Sequence, residues 1–188
     1  SAKLHSGEAV VLKIRRPGIG RTITADLSIL EFLIQRLLIE FPELKLFDPM
    51  GMFDEFKRSL LSELDFTVEA RNLQRFAHNF AKVPGVEFPH FYEDYSTERV
   101  LCMQRLFGTR IREAREAGFD MAVVGENYLR VAYGMLFEHG FFHGDLHPGN
   151  VLVLESGSIG VIDCGMVGRL SQEMRDQLAT LIFALHRG

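Results

Sequence analysis

The chain has 188 residues, 47% hydrophobic and 24% charged, which suits one domain or two small lobes around a cleft and excludes a disordered tail. Its 21 basic and 25 acidic residues give a net charge of −4, so no global field points to nucleic acid as a partner. Two cysteines, Cys102 and Cys164, and no apolar run of membrane-spanning length argue against a disulfide scaffold, a zinc finger and an integral membrane protein.

Glu8 to Ile14 is rich in β-branched residues and is closed by Arg15-Arg16-Pro17-Gly18, a strand followed by a turn. Asp26 to Phe41 carries apolar residues at helical spacing, and Pro42 ends it. A second, longer helix is predicted from about Met52 to Asn79. Short strands are predicted at Phe88–Tyr92 and Arg99–Gln104, with Phe107-Gly108 as a break. Met121 to His139 reads as an apolar helix stopped by Gly140. Two strands, Val151–Leu154 and Ile159–Ile162, are joined by a turn at Glu155-Ser156-Gly157-Ser158. A last helix starts near Ser171, with Glu173 as its capping-box partner. This order is an α+β pattern. Ser1 at one end and an apolar helical pattern close to Gly188 at the other read as a chain cut at both ends. No signal-peptide pattern stands before the first strand, and an intracellular setting is expected: bacterial cytoplasm, a membrane periphery or an organellar equivalent.

The densest chemistry lies between His143 and Gly165. Asp145 and Asn150 share one polar loop, and Asp163 ends the hairpin that follows, so a folded-back hairpin brings Asp163 beside Asn150. A carboxylate and an amide oxygen are hard ligands suited to Mg²⁺, and Asp145 is left to orient a nucleophile. D-x-x-x-x-N followed by a strand-borne D-x-G matches the protein-kinase-like signature for phosphoryl transfer. The bland alternative is that all three are ordinary turn residues.

Lys13 sits among apolar residues on the first strand, like a lysine that holds nucleotide phosphates, although an edge-strand lysine also guards against aggregation. Alternation puts it on the face of Val11, opposite Leu12 and Ile14. Such a lysine needs a carboxylate on a nearby helix, and Glu63, Asp65 and Glu69 are the candidates. On one continuous helix all three cannot reach it. His143 and His147 bracket Asp145 without the further ligands of a zinc site, and His143 is expected to be packed or hydrogen-bonded. Arg15-Arg16-Pro17 reads as a solvated turn, and Cys164 as packing beside the metal site. Most of the 16 phenylalanines belong to the core; Phe32, Phe41, Phe47, Phe53 and Phe56 are those that could instead face lipid.

Together, V-L-K-I-R-R-P-G at 11–18, Glu63-Leu64-Asp65-Phe66 with Glu69-Ala70, F-F-H-G-D-L-H-P-G-N at 141–150 and D-C-G-M-V-G-R-L at 163–170 resemble the UbiB/ADCK family of atypical kinases, over nearly the whole chain. The resemblance implies a protein-kinase-like two-lobed fold, truncated at both ends. Residues 1–104 would be an incomplete small lobe with long inserted helices, and 105–188 a partial, mainly helical large lobe. It implies ATP and Mg²⁺ as cofactors, Lys13 on the phosphates with Glu69 as its helix partner, and Glu63 and Asp65 as the family's E-x-D pair. Asp145 would be catalytic, Asn150 and Asp163 metal ligands, and Met103 and Gln104 the adenine-side hinge. It further implies an ATPase or kinase serving ubiquinone or related lipid biosynthesis, with a lipid or isoprenoid quinone precursor and peripheral membrane contact as partners. The family's K-x-G-Q segment and alanine-rich loop would lie before residue 1. Cys164 stands where Phe is usual in D-x-G, and Leu146 where the family more often has Pro. The alternatives are a small-molecule phosphotransferase of the aminoglycoside or choline kinase type, which shares the H-G-D-x-H-x-G-N loop, and a non-catalytic nucleotide- or lipid-binding module.

Overall fold

The computed structural model describes residues 1–187. A short β1 (Ala2–Lys3) pairs with β2 (Ala9–Ile14), the β-branched segment predicted as a strand. Gly18, at φ 79°, turns the chain into α1 (Ile19–Glu40), which begins seven residues earlier than the apolar pattern indicated. A short 3₁₀ turn over Pro42–Phe47 leads to α2 (Pro49–Ser62), capped by the Asp48 carboxylate on Gly51 N–H at 3.1 Å.

The single long helix expected over 52–79 is two helices. Asp65 takes an extended backbone, and its carboxylate accepts the Thr67 N–H at 2.9 Å, which starts α3 (Phe66–Phe80) afresh. Phe66 N–H donates to Glu98 O at 3.1 Å and so leaves the helical ladder. Three residues, Glu63, Leu64 and Asp65, form the bend between α2 and α3.

After α3 the chain forms β3 (Val86–Glu87), and β4 (Val100–Gln104) then returns to pair antiparallel with β2, Lys13 opposite Leu101. The strand expected at Phe88–Tyr92 is displaced. Pro89 interrupts it, and only Phe91 makes a bridge, to Met103. The break expected at Phe107-Gly108 falls at 105–107, between β4 and the next strand. Gly108 opens β5 (Gly108–Arg110), where a Cβ would stand 2.7 Å from the Val153 carbonyl, so this glycine permits close strand pairing.

The helix expected at 121–139 is α4 (Met121–Tyr133) continued by a π-helical turn over Gly134–Glu138, and Gly140 ends it at φ 56°. Then follow β6 (Phe141–His143), the hairpin β7 (Val151–Leu154) and β8 (Ile159–Val161), β9 (Val167–Arg169) and α5 (Gln172–Arg187). Ser171 Oγ caps α5 by accepting from Met174 N–H at 3.2 Å; Glu173 lies 3.5 Å from Gln177 instead of closing a capping box.

Among the described residues three sheets result: β1-β2-β4, β3-β8-β7-β5 with β3 parallel to β8, and β6-β9. The core runs between them, built on Leu73, Phe76 and Phe80 of α3, with Leu101, Val131, Phe141 and Ile159 among the residues that close around it. The α1–α2 hairpin is different. Leu27 and Phe53 are buried there, whereas Phe32, Phe41, Phe47 and Phe56 stay exposed. Among the described residues no helix is long and apolar enough to cross a membrane.

Candidate active site

Alternation along β2 turns Leu12 and Ile14 outward and Lys13 inward. Lys13 Nζ lies 2.5 Å from Glu69 Oε1 and 3.0 Å from Asp163 Oδ2. Glu69 comes from the first turn of α3 and is buried; the same Oε1 accepts the Cys164 N–H at 3.3 Å. Of the three carboxylates left open in the sequence, Glu69 is therefore the lysine's partner. The break after Ser62 removes the premise that Glu63, Asp65 and Glu69 share one helix.

Asp163 follows β8, and its Oδ1 accepts the Gly165 N–H at 3.2 Å. Asn72, one turn beyond Glu69, donates from Nδ2 to Cys164 O at 3.0 Å and pins the Asp163-Cys164-Gly165 segment to α3. Sequence reading missed Asn72. The available signal was a polar residue three positions after Glu69, on the buried face of α3.

On the opposite wall, the loop after β6 carries Asp145. His143 is buried; its Nε2 donates to the Asp163 carbonyl, and its Nδ1 accepts the Asp145 N–H at 3.0 Å. That pattern assigns the ring proton to Nε2 and makes one imidazole the tie between the two acidic segments. Asn150 Nδ2 donates to Asp145 O at 3.2 Å, and Tyr128 Oη holds Leu146 O at 3.1 Å, fastening the loop to α4. His147 lies 3.7 Å from the Asp145 carboxylate.

One cavity of about 480 Å³ takes in Lys13, Glu63, Asp65, Glu69, Asp145, Asn150 and Asp163. Met103 and Gln104 are outside its lining. Met103 packs into the core, and Gln104 faces a separate cleft with Arg105 and Phe107. Among the described lining residues, Lys13 is the only lysine or arginine against five carboxylates.

The charges respond accordingly. Burial alone would lower the Lys13 pKa, but Glu69 and Asp163 outweigh it and raise it. Burial would raise Asp163, yet Lys13, the Gly165 N–H and His143 hold it below the ordinary aspartate range. Asp65 is held low by its hydrogen bonds from Thr67. Burial pushes the Cys164 thiol far up, which leaves no thiolate for nucleophilic work. Glu63 moves up, through partial burial and then repulsion from Asp163, Asp145 and Glu69.

Because Glu63 binds its proton more tightly folded than unfolded, its charge weakens the fold as pH rises through and above the glutamate range, and the penalty is absent below it. Glu63→Gln is expected to raise the urea midpoint at neutral pH and to lose that advantage in acid. Equal midpoints at neutral pH would show that solvent screens the repulsion completely.

Residues 1–188 match the ABC1 atypical kinase-like domain along their whole length. The chain belongs to the ABC1 atypical kinase-like family. The α+β, kinase-like fold expected from the sequence is the fold of this family member. An uncharacterized Mycobacterium tuberculosis protein, Rv0647c, is 38% identical over 191 residues, covering 98% of this chain and 39% of that protein. The probable protein kinase UbiB of Pseudomonas fluorescens Pf-5 is 32% identical over 194 residues, 100% of this chain and 36% of the relative. Among solved structures, Rv3197 of Mycobacterium tuberculosis, determined in complex with erythromycin, superposes with a TM-score of 0.69 at 28% identity, over 92% of this chain and 42% of that one. The chain thus spans well under half the length of these relatives.

Proposed function

We propose that the cleft binds ATP with Mg²⁺, and that the protein transfers or hydrolyses the γ-phosphate as an atypical kinase or ATPase of the UbiB type, in support of ubiquinone or other isoprenoid-lipid biosynthesis. The observation that carries this reading is Lys13 Nζ, held between Glu69 at 2.5 Å and Asp163 at 3.0 Å on the wall of the cavity that also takes in Asp145 and Asn150.

The donor set fits a hard divalent cation. Asn150 spends its Nδ2 on the Asp145 carbonyl, which leaves Oδ1 as an oxygen donor, and Asp163 shares the cavity with it. Among the described residues no three His, Cys, Asp or Glu form a ready-made cage. That suits an ion which keeps waters and takes phosphate oxygens as ligands. When bound, such an ion neutralises charge on the phosphate oxygens.

In this reading Lys13 faces the phosphates while Glu69 anchors its ammonium. Asp145, half-exposed with His147 no closer than 3.7 Å, orients the attacking hydroxyl or water and takes up its proton. His143 keeps the Asp145 and Asp163 backbones in register. Residues 1–104 supply the small-lobe side of the cleft and 105–188 the large-lobe side, with β3 crossing to pair with β8. The exposed apolar residues of the α1–α2 hairpin support peripheral contact with lipid or membrane.

Thermal unfolding with ATP, with and without Mg²⁺, tests the reading, because a ligand of the native state raises its stability by mass action. A Mg²⁺-dependent shift is expected in the parent and absent in Asp163→Ala. Asp145→Asn is expected to keep the shift while turnover falls about a hundredfold. ATP hydrolysis at the parent rate in both variants would overturn the site assignment. Turnover that needs a small hydroxyl compound would move the reading to a small-molecule phosphotransferase.

A further inference from the structure

We infer that Arg15 is a positioning residue for the cleft: it fixes the Glu63–Asp65 bend, and through that bend the Glu63 carboxylate that lines the cavity. The inference rests on the functional reading above for what the cleft binds, but its structural content is independent of it.

Arg15 extends the β2–β4 ladder by one step, its N–H donating to Arg99 O at 2.9 Å. Two residues beyond Lys13 on an extended chain, it shares the lysine's face. Its guanidinium is engaged: Nη1 donates to Leu64 O at 2.6 Å, and Nη2 lies 3.7 Å from Glu98 Oε1. Leu64 is the middle residue of the bend, just past the end of α2, where helix carbonyls lack intrahelical partners and a cation is a favourable cap. Glu98 grips the other side, its carbonyl accepting the Phe66 N–H at 3.1 Å. The bend is therefore clamped from strand and loop together, by groups outside the cavity.

A clamp is needed because of what the bend carries. Glu63 shares the cavity lining with Asp163, Asp145 and Glu69, and partial burial, then repulsion from these three, makes its charge unfavourable there. The Glu63 N–H donates to Ser59 O at 3.3 Å, but among the described residues its carboxylate has no hydrogen bond or ion pair to hold it in place. Arg15 is outside the cavity lining and reaches it through the backbone it holds, while its charge also helps to keep the Asp65 carboxyl low. A guanidinium serves both Leu64 O and Glu98 at once, whereas an ammonium is a single point donor.

Two measurements test this. In the nucleotide-free protein, Arg15→Met is expected to speed amide hydrogen exchange at Asp65, Phe66 and Thr67 about tenfold, the loss of one charge-assisted hydrogen bond, while the amides of Leu12 and Ile14 in β2 keep their protection. Arg15→Lys, which keeps one donor, is expected to lie between Met and the parent. Unchanged protection at 65–67 in Arg15→Met, or protection lost equally in β2, would overturn the inference.

The second is a double-mutant cycle on Mg²⁺-dependent ATP binding by calorimetry. Arg15→Met is expected to weaken the affinity in the parent background and to have a clearly smaller effect in Glu63→Gln, because its hold on the bend reaches the cleft through Glu63. Additive effects would overturn that route. A parent protein that binds no nucleotide would overturn the functional reading instead, and the exchange data would still decide whether Arg15 sets the bend.

Discussion

Lys13→Met is expected to lower folding stability by about 3 kcal/mol, the lower part of the range for breaking a buried ion pair from one side. The penalty falls mainly on Glu69, whose side chain is 8% exposed, whereas Asp163 at 43% recovers much of its hydration. Lys13 itself is 24% exposed, which places the effect below that of a fully dry pair. Urea unfolding at neutral pH should show a lower midpoint with an unchanged slope. Glu69→Gln in the same background should restore part of the loss, since it removes the stranded charge. The sign with pH is also fixed. In the parent, Asp163 titrates below its unfolded value, so its contribution is present above the ordinary aspartate range and disappears as pH falls through the folded value. Parent and variant should therefore converge in acid. A variant with the parent's midpoint at neutral pH would mean that hydration of the three groups repays the pair completely.

Phe76→Ala is expected to cost about 4 kcal/mol, because the emptied space is enclosed on all sides and cannot collapse. Phe76 is fully buried; its ring stacks on Phe88 at 5.2 Å, tilts against Phe141 at 4.6 Å and lies 6.3 Å from the His143 ring. Against a typical stability of about 5–15 kcal/mol this is a large share, and Phe76→Leu should cost less than about 1.5 kcal/mol if the pocket repacks. Denaturant titration measures both. The same substitution removes an aromatic ring from beside the imidazole that joins Asp145 to Asp163, so the His143 ring proton shifts should move in the folded fraction. A loss near 1 kcal/mol for Phe76→Ala would show that α3 slides in to fill the space.

The parts of this molecule that were legible in sequence are those whose signal is local. Asp145 to Asn150 crowd Pro, Gly, His and Asn into one loop, and Val151–Leu154 and Ile159–Val161 flank an unmistakable turn, so their placement followed from neighbours alone. The α2–α3 break was hidden because helical periodicity continues across it. Only Asp65, read as a cap ahead of Phe66-Thr67-Val68-Glu69, reveals the stop. Gly108 was counted into the break because a glycine that interrupts a strand and one that admits a neighbouring carbonyl look identical in sequence. Asn72 and Arg15 act on carbonyls 92 and 49 positions away, and no window along the chain contains both partners. Met103 and Gln104 came from the family resemblance alone, which carries a residue's place along the chain but not the side chain's surroundings, and Met103 packs into the core.

One oxygen atom has a consequence for how this protein changes state. Glu69 Oε1 serves Lys13 Nζ and the Cys164 N–H together, so it behaves like a logical conjunction: the strand and the Asp163–Gly165 segment are both engaged, or neither is. A rotation of α3 large enough to free the lysine also orphans a buried peptide N–H, which makes half-released arrangements costly. The cleft should therefore switch between two discrete settings, seen as two sets of resonances for Lys13 and Cys164 that exchange intensity in step and never drift independently.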